Sequence, residues 1–355
     1  MPYKLFVLGI LLCICWSCEN AAISEVAPKK EKSLVSPSLI NATTSGLDSM
    51  AYKIWWASLP KLPKTEHFFL DILTDASWQA CQKIRKRLFG TVLAKIPAEK
   101  SNRAALKYLD LSYQNIRYLP NDMADLSNLK HLVLKNNSLR DINACLRHCS
   151  QLKTLDVSTN NWTEVPSNLI YLTQLRDLKL VDNKLESLPS FLQNLKSLKT
   201  LDISNVHPAM AQGNNLFKEV PQVIGQMPWL EKLLMEYLPI RRFPGNMVRM
   251  KNLQVLSLKG CRGIDWRQAF EIMARMPNLQ VLDISFIGLH SLPYNVSKLK
   301  NLKVLVWTAE NNRNAYFIDQ LKEVLPNTKI YHNPLKEAIP FIRGNSVKTL
   351  VGAGK

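Results

Sequence analysis

The sequence predicts an α/β solenoid built from short repeats, and three observations carry that prediction. Blocks of similar sequence begin at Leu129, Leu152 and Leu175, so the pattern recurs every 23 residues. Each block reads L-x-x-L-x-[LV]-x-x-N-x-[LW], whose apolar residues alternate as they do on one face of a short strand. Each block then returns through an apolar residue that is usually followed by Pro, which favours extended backbone over a long helix. One block cannot bury its own leucines, so stacked blocks must build the core.

This pattern resembles the leucine-rich repeat family, because many positions recur together at a fixed period. The resemblance implies a leucine-rich repeat solenoid with a curved parallel β-sheet on its concave face. The convex face would then consist of irregular or 3-10 segments and short helices. In that family the Asn side chains form a ladder that bonds the backbone of neighbouring turns. The resemblance therefore gives structural roles to the ladder positions Asn137, Asn160, Asn183 and, where Cys substitutes for Asn, Cys261.

The repeat domain is expected to cover residues 106–327. Full repeats start at Leu106, Leu129, Leu152, Leu175, Leu198, Leu230, Leu253, Leu279 and Leu302. A spacing of 32 after Leu198 indicates an insertion within 207–215, and a spacing of 26 after Leu253 predicts a convex helix beginning near Trp266. From the insertion onward the ladder is expected to fade, because Val206, Leu238 and Ile287 stand at the Asn position.

The first 50 residues read as an export signal followed by a tether. An apolar run ends at Trp16 and is followed by Ser17-Cys18, a small residue before a Cys. This resembles a bacterial lipoprotein signal, which implies cleavage after residue 17 and lipid attachment at Cys18. An ordinary signal peptide cleaved nearby and an uncleaved anchor are the alternatives. Residues 18–50 are polar and aperiodic, which is typical of a flexible lipidated tether.

The two flanks of the repeat domain are expected to close its ends. Residues 51–105 are predicted to form an N-terminal cap, since His67 to Leu88 carries apolar residues at helical spacing. An open solenoid end exposes core side chains, which is why a cap is needed there. Residues 328–355 are predicted to add one edge strand and then a frayed tail.

The composition and motifs argue against an enzyme. The net charge is +18, from 46 Lys and Arg against 28 Asp and Glu, yet no nucleic-acid-binding motif accompanies it. Cys145 and Cys149 flank a His, but Cys149 stands where other repeats have a core leucine. Buried free thiols or a disulfide fit these two residues better than a metal site. No nucleotide, metalloprotease or triad signature occurs, so no cofactor, metal or catalytic residue is assigned.

Candidate binding residues lie at the x positions of L-x-x-L-x-L-x-x, which project onto the concave face. Residues that break the repeat template carry the most information, and an exposed Leu234 beside Tyr237 is the expected hot spot. The protein-binding set comprises Tyr108, Tyr113, His131, Lys135, Lys179, Asp182, Lys232, Leu234, Glu236, Tyr237 and Phe286.

Together these features predict a membrane-anchored protein of a bacterial cell envelope, at the outer membrane or cell surface. It would be a monomer and would bind another protein through its concave face, as an envelope or host interaction scaffold. The alternative is a secreted or cytosolic effector or signalling scaffold, similar to the Ras-suppressor type of repeat protein. Neither function involves nucleic acid or enzymatic activity.

Overall fold

A computed structural model describes residue 90, residues 92–142, 144–206, 215–289, 291–308 and 315–332, and residue 342. The predicted signal peptide, Cys18, the tether and most of the proposed cap lie outside the described residues. So do most of the insertion and nearly all of the C-terminal tail. Among the described residues, no helix combines the length and apolar character needed to cross a bilayer.

The described chain forms one parallel sheet whose strands follow one another in sequence order, β1 to β10. Each strand has three residues and pairs in register with the strand of the next repeat. The strands are β1 Tyr108–Asp110, β2 His131–Val133, β3 Thr154–Asp156, β4 Asp177–Lys179, β5 Thr200–Asp202, β6 Lys232–Leu234, β7 Val255–Ser257, β8 Val281–Asp283, β9 Val304–Val306 and β10 Lys329–Tyr331. The expected α/β leucine-rich repeat solenoid is confirmed.

The convex side is made of short helical turns. Six of the described 3-10 segments start directly after a Pro, whose fixed φ holds the chain extended just before the turn. The 3-10 segments are Asn121–Asp125, Ala144–His148, Ser167–Tyr171, Ser190–Asn194, Gln222–Gln226, Gly245–Arg249 and Tyr294–Lys298. The described residues include the α-helices α1 Lys100–Arg103, α2 Trp266–Met273 and α3 Ala315–Val324. Helix α2 occupies the longer repeat, where the sequence predicts it.

The core lies between the sheet and the convex turns. The middle residue of β1 to β9 is a leucine with its side chain buried, and the leading leucines from Leu129 onward are buried too. At the N-terminal end Val92 and Ile96 belong to the same core. Arg103 fixes this entry segment, because its Nη1 lies 2.9 Å from Asp122 Oδ1 and 2.8 Å from Asp125 Oδ2.

The Asn ladder satisfies backbone groups that would otherwise be buried without partners. Asn160 shows the pattern: its Nδ2 donates to Leu134 O at 3.0 Å and to Val157 O at 3.0 Å, and its Oδ1 accepts from Leu139 N at 3.0 Å. Asn137 and Asn183 make equivalent bonds. Each side chain therefore joins two neighbouring turns.

The ladder does not break where the sequence indicates, and the assignment of Val206 to it was wrong. Asn215 holds that place: its Nδ2 donates to Leu180 O at 2.9 Å and Ile203 O at 3.0 Å, and its Oδ1 accepts from Leu185 N at 3.1 Å. Asn205 closes the insertion, since its Oδ1 accepts from Asn215 N at 2.6 Å. The extra nine residues therefore precede the ladder Asn instead of following it.

Cysteines take two positions in this framework, and both are structural. Cys261 stands at the ladder position and its Sγ donates to Met235 O at 2.9 Å. Cys149 replaces a core leucine and lies against Met123 O at 3.4 Å. Cys145, Cys149 and Cys261 are all buried. Burial raises the pKa of Cys149 and Cys261 to about 12, so neither thiol is poised to react.

Candidate functional site

The concave face is formed by the first and third residues of each strand, because side chains alternate along a strand and the middle leucine points into the core. Its accessibility changes along the solenoid. The two concave residues of β1 are exposed and those of β2 and β3 are half-buried, whereas all six in β7, β8 and β9 are buried. The face therefore divides into an open part and a covered part.

The open face consists of the concave residues of β1 to β4 with Tyr113 and Lys135, which follow the first two strands. Tyr108 is 56% exposed and Tyr113 is 65% exposed. The Tyr108 ring lies 6.4 Å from the His131 ring, and His131 Nδ1 is 2.9 Å from Thr154 Oγ1, which fixes the imidazole. Lys135 is exposed. Aromatic surface and positive charge thus meet at the N-terminal end of the sheet.

A group of opposite charges lies where the open face borders β5 and β6. Lys179 Nζ is 3.9 Å from Asp156 Oδ2, and the Lys179 side chain is 52% exposed. Lys232 is half-buried, and burial lowers its pKa while the nearby carboxylates of Asp177 and Asp202 act to raise it. These residues offer charge to a partner, but each already has an oppositely charged neighbour.

Aspartates that recur two residues before a serine act on the backbone. The Oδ1 atoms of Asp110, Asp156 and Asp283 accept from the N–H of the Ser two residues later, at 2.8, 3.0 and 2.9 Å. An Asp side chain that bonds backbone two residues on stabilises a turn. The Asp-x-Ser motif is thus a structural feature at the end of these strands.

Leu234, the expected hot spot, is not exposed: it is 5% exposed, so that expectation was wrong. It belongs to an apolar cluster on the concave side, which we call the covered face and which contains Leu234, Val255, Val281, Val304, Val306, Tyr331 and Ile342. Ile342 comes from beyond the last strand. Valines at concave positions were the sequence signal for a covered surface, because solvated strand faces are usually polar there.

Tyr237 and Phe286 are two aromatic residues that share Lys259 as a neighbour, beside the covered face. Both have positive φ, 53° and 58°, and Lys259 Nζ lies 5.8 Å from the Tyr237 ring centroid and 5.5 Å from that of Phe286. The Tyr237 ring packs on Gly260, where an added Cβ would clash with it. Both residues are half-buried, so each ring packs partly against the protein and partly faces solvent.

Two more candidates are buried carboxylates. Asp182 is 1% exposed, and Glu236 is 3% exposed and accepts from Ser257 Oγ at 3.0 Å. The structure thus brings five candidates together on or beside the open face: Tyr108, Tyr113, His131, Lys135 and Lys179. Three more candidates are half-buried and thus partly accessible: Lys232, Tyr237 and Phe286. The last three are buried: Asp182, Leu234 and Glu236. Among the described residues, no group of three or more His, Cys, Asp or Glu could hold a metal ion.

A parallel solenoid with these repeats defines a class of protein, and sequence comparison agrees with it. Residues 104–162 match a family model described as leucine rich repeat, and residues 167–305 match one described as leucine-rich repeat region. The chain is a leucine-rich repeat protein. No protein of curated function matches its sequence significantly.

Three solved structures are similar to the chain, and the first of them agrees with its fold. An internalin (inlF) from Listeria monocytogenes is 18% identical, with 69% of this chain and 73% of that chain covered and a TM-score of 0.50. The Leptospira interrogans leucine-rich repeat protein LIC12759 is 21% identical over 65% of this chain and 74% of that chain, with a TM-score of 0.33. An internalin C2 from L. monocytogenes is 17% identical over 59% and 84%, with a TM-score of 0.47.

The class has a general consequence for function. Proteins built from such repeats generally act as scaffolds that bind other proteins, and they are generally not enzymes. A curved parallel sheet suits that role because it presents a continuous, rigid surface to a partner.

Proposed function

We propose that this protein binds another protein through the open face of its sheet and is held at a membrane by a lipid on Cys18. The observation that carries the binding proposal is the exposure of Tyr108 and Tyr113 at 56% and 65%, on a rigid sheet whose remaining strands are largely covered. Tyrosines are enriched among the residues that dominate interface energies, since one ring supplies apolar area and a hydrogen bond.

The charges around these tyrosines define the partner's chemistry. Lys135 follows β2, and a basic row precedes the strands at Lys107, Lys130, Lys153 and Arg176. A complementary surface therefore carries acidic side chains around an apolar or aromatic centre. Electrostatic complementarity of this kind mainly accelerates association and rejects wrong partners.

The binding proposal is tested with four tyrosines of similar exposure. Tyr171 and Tyr294 are 55% and 78% exposed and lie on the convex turns, so they match Tyr108 and Tyr113 in chemistry but not in place. A photo-reactive phenylalanine at position 108 identifies the partner, and the same residue at position 294 is the control. The affinity of that partner is then measured for two double variants.

We expect Tyr108→Ala/Tyr113→Ala to weaken binding by about 30-fold or more, which corresponds to ~2 kcal/mol for loss of interface anchors. We expect Tyr171→Ala/Tyr294→Ala to leave it within about twofold. Equal losses in both pairs, or loss only in the convex pair, would place the site elsewhere.

The membrane proposal rests on Ser17-Cys18 directly after the apolar run that ends at Trp16. Acyl chains anchor firmly, because each buried methylene contributes about 0.8 kcal/mol. Cell fractionation and protease shaving of intact cells test it, with Cys18→Ala as the variant and Cys15→Ala as the matched control. We expect Cys18→Ala alone to release the protein from membranes, and wild type to be cleaved from outside at the bacterial cell surface. If all three forms fractionate as soluble, the membrane proposal is wrong, and the alternative of a secreted or cytosolic effector or signalling scaffold replaces it.

A further inference from the structure

The covered face lies at β6 to β10, apart from the open face. Val255, Val281, Val304 and Val306 are 0 to 2% exposed, although they point to the concave side, away from the core. The equivalent residues of β1 and β2, such as Tyr108 and His131, are exposed or half-buried. Neighbouring strands lie side by side, about 4.8 Å apart, so one strand does not cover the concave side chains of the next. The pairing of the strands therefore does not by itself account for the burial of these valines.

One residue from beyond the last strand belongs to this cluster, namely Ile342. Of residues 333–355 the structure describes Ile342 alone, and Ile342 is 5% exposed within the valine cluster. It follows Tyr331 by 11 residues, which span at most about 36–40 Å when extended. Four strand spacings, from β10 back to β6, need only about 19 Å. The segment is therefore long enough to reach every member of the cluster.

The charges of the two sides are complementary. Beside the valines lie the buried carboxylates of Asp202, Glu236 and Asp283, which are 6, 3 and 4% exposed. Burial raises the pKa of Asp283 to about 6, and the charge of Glu236 acts in the same direction. The segment 333–355 carries the cations Lys336, Arg343, Lys348 and Lys355 against one acid, Glu337. The surface is thus acidic and apolar, whereas the segment is basic and contributes the apolar side chain of Ile342.

We propose that the covered face is a peptide-binding surface whose resident ligand is the chain's own segment 333–355, anchored by Ile342. The surface recognises a branched apolar side chain flanked by cations. An external protein that carries the same chemistry competes with the segment for this surface. The proposal concerns β6 to β10 and does not depend on the open face or on the lipid anchor.

The test uses the full chain and a labelled synthetic peptide of residues 333–355. In the full-length Ile342→Asp variant a carboxylate replaces the anchor, which vacates the surface. Val324→Asp is the matched control, because it introduces the same carboxylate at an apolar residue that is 44% exposed on α3. Should Ile342→Asp fail to fold by circular dichroism, Ile342→Ser serves in its place.

We expect the peptide to bind the Ile342→Asp chain at least about 10-fold more tightly than wild type or Val324→Asp, in which the surface is occupied. A peptide with Ile342→Asp should lose that binding, and one with Arg343→Glu should bind at least about fivefold more weakly at low salt. Equal binding to all three chains, no binding to any, or equal binding of the altered peptides would overturn the proposal. Light scattering would also overturn the proposal if the wild type were a dimer and Ile342→Asp a monomer, because the segment would then bind a second copy of the chain.

Discussion

Replacing Asn215 by Ala is the sharpest test of how the insertion is accommodated. The Asn215 side chain is fully buried, and its three shortest bonds go to backbone groups: Leu180 O at 2.9 Å, Ile203 O at 3.0 Å and Leu185 N at 3.1 Å. Leu180 O keeps a second donor in Asn183 Nδ2 at 3.2 Å. The substitution therefore removes the side-chain partner of two buried groups, Ile203 O and Leu185 N.

The magnitude follows from those two groups. An unsatisfied buried polar group costs about 1–3 kcal/mol, so Asn215→Ala should lower the free energy of unfolding by about 2–6 kcal/mol. Urea denaturation followed by circular dichroism measures this change. Asn161→Ala is the control, because Asn161 is exposed and lies next to a ladder position without being part of it. That variant should change the free energy of unfolding by less than about 0.5 kcal/mol.

A second variant separates the two assignments of the ladder. If Val206 held the Asn position, Val206→Asn would stabilise the protein and Asn215→Ala would be nearly neutral. The bonds of Asn215 predict the reverse, because the ladder place is already filled. A stabilising Val206→Asn together with a harmless Asn215→Ala would refute the reasoning.

Three further predictions address buried groups. The pKa of Asp283 is about 6 in the folded state, against 3.8 for the free group. The folded state therefore disfavours loss of this proton, and the free energy of unfolding falls as the pH rises from about 4 to 6. Asp283→Asn should be more stable than wild type at pH 7.5, by at most about 3 kcal/mol, and about equal near pH 3.5, as urea denaturation at the two pH values would show. A wild type that loses no stability relative to Asp283→Asn across that range would contradict this. Gly260→Ala should lower the free energy of unfolding by roughly 1–3 kcal/mol, because the φ of Gly260 is 73° and the Cβ would meet the Tyr237 ring. Adding Tyr237→Ala should recover part of that loss. If the effects of the two substitutions on the free energy of unfolding are strictly additive, the contact is ruled out. Cys149 and Cys261 should resist iodoacetamide at pH 8 in the folded protein, as peptide mass spectrometry would show, since burial raises the pKa of both thiols to about 12; rapid native labelling would show that these positions open.

The repeated part of the fold could be predicted from the sequence because the interactions that determine it are local and recur in every repeat. A leucine such as Leu155 or Leu178 is buried by its own position in the strand and by an identical neighbour one turn away. The convex helix α2 could be predicted for a similar reason, since the longer spacing of that repeat leaves room for it. Such features need only the period of the sequence.

The insertion shows where that reasoning fails. Counting from Leu198 puts Val206 at the ladder position, but the chain closes the extra residues through Asn205 and Asn215. A backbone that leaves three polar groups to satisfy selects the residue that can bond them, wherever it stands in the sequence. The distance along the chain was therefore a poor guide to the distance in space.

The candidate site divides in the same way. The repeat pattern by itself determined which side chains face the concave side, including Tyr108, Lys179 and Leu234, because alternation along a strand is a local property. Only the tertiary structure decided which of these meet solvent. Ile342, which lies outside the repeats, is buried among the valines of β7 to β9, and no periodic pattern records a contact between segments that far apart. Burial depends on everything that lies above a face, so the sequence determined the scaffold and its orientation while long-range packing decided the accessible surface.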